Sequence, residues 1–365
     1  MIATIELPLT EWHHIYLGAN SDWENIVDYV LNYLSSQPTK NKIAFMLIGD
    51  GLITSIAHLR DVVEHLNTYE FALVIGSMPS ISTFEIYDQV VKERSWANIP
   101  LVVQNAWEHQ SAFFITNEHD ILFDTTPRVK DKLLLSFNGE ARPERGFILA
   151  SLIRDNLFER SYVSAYHNLD SYNKLWSNDG NDPYLASGLT IELIDVLNDN
   201  KHMFPIELSR KNYRTVDSNS YHPIDDVEYF NNSYFSLVNE TVFYDRLFLG
   251  SGHIPTLFLT EKTYKVIAAR HPFIIAQRPG ILKALRDDGY KTFHPYIDET
   301  YDTIENDVDR LHAIYNEVLR LSEYTDEQWL EFQHNVRSIV EHNFMLLKTR
   351  KKVIFKTKWS DNNVG

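Results

Sequence analysis

Leu259-Thr260-Glu261-Lys262-Thr263-Tyr264-Lys265-Val266-Ile267, continued by Ala268-Ala269-Arg270-His271-Pro272-Phe273-Ile274-Ile275-Ala276, is the stretch whose reading sets the fold. An apolar run ends at Leu259, and Thr260 stands where a helix begins. A threonine there caps the helix by accepting from an N–H of its first turn. The other terminal N–H groups then face outward as a ready anion site. Glu261 and Lys262 are adjacent at this mouth, with Lys265 three residues on. The helix ends near Arg270-His271-Pro272, and Phe273 to Ala276 reads as a buried strand. Strand, helix and strand with charges at the helix mouth is a nucleotide-binding layout, in which Glu accepts from ribose hydroxyls and Lys meets a diphosphate.

Outward from this unit, Tyr234 to Val238 reads as a strand opening on Asn239-Glu240-Thr241, and Lys132 to Phe137 as another, opening on Asn138-Gly139-Glu140-Ala141-Arg142-Pro143-Glu144-Arg145 and a helix to about Leu157. Ser161 to Ala165 is strand-like, and Thr190 to Asn198 helical. Asn168 to Pro183 reads as an extended loop, and residues 201–229 as polar and irregular. Gly280 to Asp288 is a helix, Lys291 to Phe293 a short strand, and Thr303 to Leu321 and Thr325 to Leu347 long amphipathic helices. In the N-terminal third, strands at Lys42 to Ile48, Phe71 to Ile75 and Ile99 to Val103 alternate with helices at Asp22 to Leu34, Ile53 to Leu66 and Ser82 to Glu93. Ala112 to Phe123 closes that part as a hairpin or short strands. Continuous apolar strands alternating with helices imply a parallel sheet covered on both faces. The expected fold is α/β, two Rossmann-like doubly wound domains facing a cleft. Residues 1–128 form the first, 129–347 the second, and 348–365 a basic tail packing back on the first.

The chain's 365 residues suit two domains, and 44% hydrophobic with 23% charged residues is a globular composition. Aromatics, at 13%, fit large aromatic cores. Cysteine is absent, which excludes disulfides, thiolate zinc sites and cysteine nucleophiles. The start, Met1-Ile2-Ala3-Thr4-Ile5-Glu6, lacks a signal-peptide pattern, and no apolar run is long enough to span a bilayer, so a cytoplasmic location is expected. A net charge of −16 opposes broad binding to nucleic acid or anionic lipid. An anionic ligand must then be met by a few placed cations.

Arg142 and Arg145 supply two guanidiniums at a helix N-terminus, where they oppose the helix dipole unless an anion sits there. Glu240 follows a strand, and Glu261, Lys262 and Lys265 lie within one helical turn. All three clusters sit at strand-to-helix junctions of one domain. Asp307-Val308-Asp309 has an Asp-x-Asp spelling, but within a helix positions i and i+2 do not share a face. Asn178 to Asp182 resembles a calcium-loop opening without the required later Glu. No metal site is inferred.

The order of motifs is Asn138…Arg142-Pro143-x-Arg145, Ser236-Leu237-Val238-Asn239-Glu240-Thr241, Phe258-Leu259-Thr260-Glu261-Lys262-Thr263-Tyr264-Lys265 and His271-Pro272-Phe273-Ile274-Ile275. It resembles the nucleotide-sugar-binding domain of GT-B glycosyltransferases, most of all the fucosyltransferase-like group and related viral and bacterial glycosyltransferase-like proteins, over about residues 131–300. The resemblance implies that Glu261 contacts the ribose, Lys262 the diphosphate, Arg142 or Arg145 the phosphates, and Glu240 the ribose or donor sugar, with Thr260 and Lys265 in the same wall. It implies a metal-independent transfer with a nucleotide-diphosphate sugar as co-substrate and no further cofactor. The base that an inverting transfer needs would come from the first domain. Asp50, between two glycines after a buried strand, and His13, with His14 beside it, are the candidates. The acceptor stays open among glycans, lipid-linked sugars, proteins and modified DNA bases, as do the donor nucleotide and the stereochemistry. The alternative is a GT-B-like nucleotide- or glycan-binding module without catalysis.

Overall fold

The computed structural model describes residues 124–139, 141–165, 169, 190–208, 227–241, 243, 257 and 259–349, together with the backbone of six further strands. These six are β1 (Ile2–Ile5), β2 (His13–Gly18), β3 (Lys42–Ile48), β4 (Glu70–Ile75), β5 (Leu101–Val103) and, at the far end of the chain, β10 (Phe355–Lys358). The helices expected at 22–34, 53–66 and 82–93, the hairpin at 112–123, most of the loop at 168–183, and Asp50 lie outside the described residues. The chain divides into two compact units: residues 1–110, 247–259 and 349–365, and residues 111–246 and 260–348.

In the first unit, β2, β3, β4 and β5 form a parallel sheet in that order. The near-continuous apolar runs of β3 and β4 mark strands of this kind. β1 pairs antiparallel with β10, Ile2 opposite Lys358 and Ile5 opposite Phe355. The basic C-terminal segment is therefore joined to the chain's first residues.

The second unit holds a second parallel sheet. Its strands are β6 (Lys132–Ser136), β7 (Tyr162–Val163), β8 (Ser233–Asn239) and β9 (Phe273–Ala276). Their order is β7-β6-β8-β9, all parallel. Around it stand α1 (Pro143–Arg154), α2 (Ile191–Asp199), α3 (Val227–Asn231), α4 (Glu261–Ala268), α5 (Ile281–Asp287), α6 (Asp307–Ser322) and α7 (Asp326–Thr349). The protein is thus α/β with parallel sheets. Every residue of β8 and β9 is buried, which requires cover on both faces. α1 buries Phe147 to Leu152 and α6 buries Leu311, Ile314 and Val318. On α7, Trp329 stacks on Tyr234 of β8 with ring centroids 4.1 Å apart, so the aromatic residues of this unit serve its core.

Local chemistry explains the boundaries. Pro143 at the first turn suits α1 because proline lacks the N–H that position would leave unpaired. Asn156, at φ 57, makes the left-handed turn that ends it. α4 closes with the N–H of Arg270 on the Ile267 carbonyl and that of His271 on Val266, a paired closure that needs a left-handed residue. Arg270 fills that position at φ 52. Its side chain donates to Glu341 at 3.1 Å and stacks on Phe344 at 3.5 Å.

Two expectations fail. Residues 291–293 form no strand, because side chains take the bonds a neighbouring strand would. Asn343 accepts from Lys291 N and donates to Lys291 O, and Glu299 Oε1 accepts from Phe293 N. The helix expected from Thr303 begins only at Asp307, since Asn306 Oδ1 accepts from Val308 N and Asp309 N and so caps it. A short 3-10 turn, Thr300–Thr303, precedes it. Asp307 of the Asp-x-Asp spelling pairs with Arg310.

His271 supplies a test of this core. It is 3% exposed; Nε2 donates to Ser233 O and Nδ1 accepts from Ser236 Oγ, each at 2.8 Å. Burial, reinforced by the nearby Lys130 ammonium, lowers its pKa to about 3. The unfolded chain takes up this proton as the pH falls below about 6.5, while the folded chain does not until about 3. Stability is therefore intact above about pH 6.5 and falls by about 1.4 kcal/mol per pH unit below it. Urea unfolding at about pH 7 and about pH 5 should show about 2 kcal/mol more loss in the wild type than in His271→Gln. Equal losses in both would contradict the buried neutral imidazole.

Candidate functional site at the carboxyl edge of the second sheet

The second sheet reverses its direction of growth at one place. From β6 the chain passes through α1 to β7 on one side, then returns to lay β8 and β9 on the other. The gap at the carboxyl ends of β6 and β8 is a topological switch point, where open α/β sheets hold ligands. Two helix N-termini meet there. α1 follows β6 directly. α4 is tied to the end of β8 by Glu240, the residue next after that strand.

Glu240 is 0% exposed. Its Oε1 accepts from Thr260 N at 3.0 Å and from Thr263 Oγ1 at 2.7 Å, and its Oε2 accepts from Thr260 Oγ1 at 2.6 Å. The carboxylate expected to face a sugar is instead the clamp that fixes the mouth of α4. Thr260 caps the helix as expected, Oγ1 accepting from Lys262 N at 3.3 Å. Lys262 Nζ curls over the cap, 3.0 Å from Glu261 Oε1, 3.1 Å from Thr260 Oγ1, 3.3 Å from Thr241 Oγ1 and 4.0 Å from Glu240 Oε2. Glu261 and Lys262 are both partly exposed, at 17% and 27% of their side chains. Lys265 sits one turn further in, its ammonium 4.6 Å from the centroid of the Phe137 ring. That ring lies just past β6, so Lys265 is spent on packing across the switch point.

On the other side, Arg145 reaches across. Its Nη2 donates to the Asn239 carbonyl at 3.2 Å, joining α1 to the end of β8. Arg142 is the N-cap residue of α1, and no side chain caps that helix. Its Nε is buried without a hydrogen-bond partner. Beneath lies a floor of neutral polar groups. Asn239 Nδ2 donates to Asn138 Oδ1 at 2.8 Å and to Ser136 Oγ at 3.2 Å, and Ser136 Oγ donates to Leu237 O at 3.0 Å. Asn239 Oδ1 has no partner.

Comparisons with protein-family models, with curated proteins and with solved structures found no match.

The chemistry of the site thus rests on its geometry. Arg142, Arg145, Glu240, Thr260, Glu261 and Lys262 are brought to one edge, as their strand-to-helix positions suggest. Asn138, Asn239, Ser136 and Glu144 join them with no role foreseen. For the first three the signal was a polar residue at or just past the end of an otherwise apolar strand, whereas Glu144 stands in the first turn of α1. His13 belongs to the first unit. It is the first residue of β2, opposite Ile43 at the start of β3, and so stands at the amino edge of a parallel sheet. Ligand sites in such sheets lie at the other edge, and the base role is not carried forward for it. Asp50 lies outside the described residues. Among the described residues no group of acidic or imidazole side chains could hold a metal ion, and no helix is long and apolar enough to cross a membrane.

Proposed function

We propose that the chain is a GT-B-type glycosyltransferase that moves a sugar from a nucleoside-diphosphate donor to a hydroxyl acceptor. The observation that carries this reading is the meeting of two helix N-termini, each flanked by basic side chains, across the switch point of a parallel sheet. Aligned peptide dipoles place partial positive charge at both mouths. In the transfer, the bond from the anomeric carbon to the bridging phosphate oxygen breaks, and the diphosphate gains charge as it leaves. Fixed N–H groups with Arg142, Arg145 and Lys262 stabilise that charge without reorganising. Glu261, at the rim, is assigned to the ribose hydroxyls. Glu240 acts from below, holding Thr260 and through it Lys262. The acceptor hydroxyl bonds to the anomeric carbon and loses its proton to a base, for which Asp50 is the proposed residue. On this reading the two units are the paired Rossmann-like domains of that fold.

The test is release of nucleoside diphosphate from GDP- and UDP-sugars, alone and with mixtures of glycan, lipid-linked and hydroxymethylated-base acceptors. Time-dependent release that quickens with one acceptor class is the expected result. Tight nucleotide binding with no release from any donor would replace the enzyme by a binding module.

A further inference from the structure

The charges of the site are unusually well matched. Lys262 carries Glu261 at 3.0 Å and Glu240 at 4.0 Å, and Arg145 carries Glu144, whose Oε1 lies 3.8 Å from Nε. Glu144 is the odd member. It is 1% exposed, and neither carboxyl oxygen has a hydrogen-bond partner. A first-turn carboxylate gains from the helix dipole. Burying it without a hydrogen bond nonetheless costs more than an apolar side chain would in the same space. The fold therefore does not account for Glu144, and its contact with the residue that spans the switch point does.

We propose that Glu144 is a positioning residue of the anion site, holding the Arg145 guanidinium against the Asn239 carbonyl and offsetting one positive charge, so that its ionisation sets how tightly a diphosphate is held. This rests on the nucleotide-diphosphate reading above. The charged groups acting on the carboxyl are the guanidiniums of Arg145 and Arg142. β8 ends in the neutral Asn239, whose carbonyl accepts from Arg145. α6 brings His312 and Tyr315 against Phe147, one turn along α1. Glu192 of α2 acts on Arg154, at the other end of α1. Burial raises the pKa of Glu144, opposed by the two arginines and by a weaker pull from its own N–H. The carboxyl thus changes charge above the ordinary carboxylate range. Deprotonated, it competes with the ligand for Arg145; protonated, it leaves that charge to the ligand.

Calorimetric titration with inorganic pyrophosphate tests this on wild type, Glu144→Gln and Glu144→Met across about pH 5 to 8. Taking the ratio of affinities at each pH cancels the titration of pyrophosphate itself. The uncharged variants should bind about tenfold more tightly than wild type at the alkaline end. The ratio should close toward one as the pH falls and the wild-type carboxyl takes up its proton. A merely structural role would shift affinity by the same factor at every pH. A ratio that stays constant, or at one throughout, overturns the proposal while the anion site stands. Absence of pyrophosphate binding in all three proteins overturns the site and the proposal together. Failure of both variants to fold would show that Glu144 belongs to the core, and would also overturn it.

Discussion

Arg310→Ala should lower the stability of the protein by about 3–5 kcal/mol in urea unfolding, the cost of breaking up a buried charged network. The guanidinium of this α6 residue is 0% exposed. Nε donates to Gln277 O at 2.8 Å, Nη1 to Ile304 O at 2.9 Å and Glu305 O at 3.2 Å, and Nη2 to Phe243 O at 3.0 Å and to Asp307. The guanidinium also lies 4.6 Å from the Phe243 ring centroid. Gln277 follows β9 directly and Phe243 lies four residues past β8, so one planar group ties together the connections leaving two neighbouring strands. Its removal orphans four carbonyls at once, each costing about 1–3 kcal/mol before relaxation and water entry reduce the sum. Arg310→Lys should recover only a minor part, because an ammonium cannot serve a forked set of acceptors. An alanine variant within about 1 kcal/mol of wild type would show that these bonds are replaceable by water.

Nothing in the sequence announces Arg310. In Asp307-Val308-Asp309-Arg310-Leu311 it reads as the polar face of an amphipathic helix, and only the fold shows carbonyls converging on it. Elements carried by local chemistry were legible. Thr260 as a cap, Pro272 as a stop and the unalternating apolar runs of β3 and β4 place α4 and mark parallel strands, because capping, proline geometry and two-faced burial act over a few residues. The order β7-β6-β8-β9 was not legible, since it depends on pairings more than a hundred residues apart, such as Lys132 with Ser233. Within the site, position was legible and use was not. Glu240 was expected at the ribose or donor sugar and lies at 0% exposure, clamping a helix. Lys265 belongs to the right turn, but its ammonium rests on Phe137. Glu144, for which the sequence suggests no role, is buried.

The second large effect concerns Lys262. Its side chain is 27% exposed, and its ammonium meets the polar groups Thr241, Thr260 and Glu261 of the α4 mouth. Thr260 keeps its bonds to Glu240 when the lysine is shortened. Lys262→Ala should therefore change the stability of the free protein by less than about 1 kcal/mol, as for a partly exposed ion pair. It should weaken nucleoside-diphosphate binding about ten- to a hundredfold, the worth of a charge-assisted bond to phosphate. Thermal unfolding of the 365-residue chain with GDP, UDP, ADP and their sugars reads both quantities in one measurement. At a hundred times its dissociation constant, one of these ligands should stabilise the wild type by about 2.7 kcal/mol, and Lys262→Ala should keep only about 0.4–1.4 kcal/mol of that gain at the same concentration. No shift of the wild type with any of these ligands at millimolar concentration, or an equal shift in Lys262→Ala, would contradict a nucleotide-diphosphate site at the carboxyl edge of the second sheet.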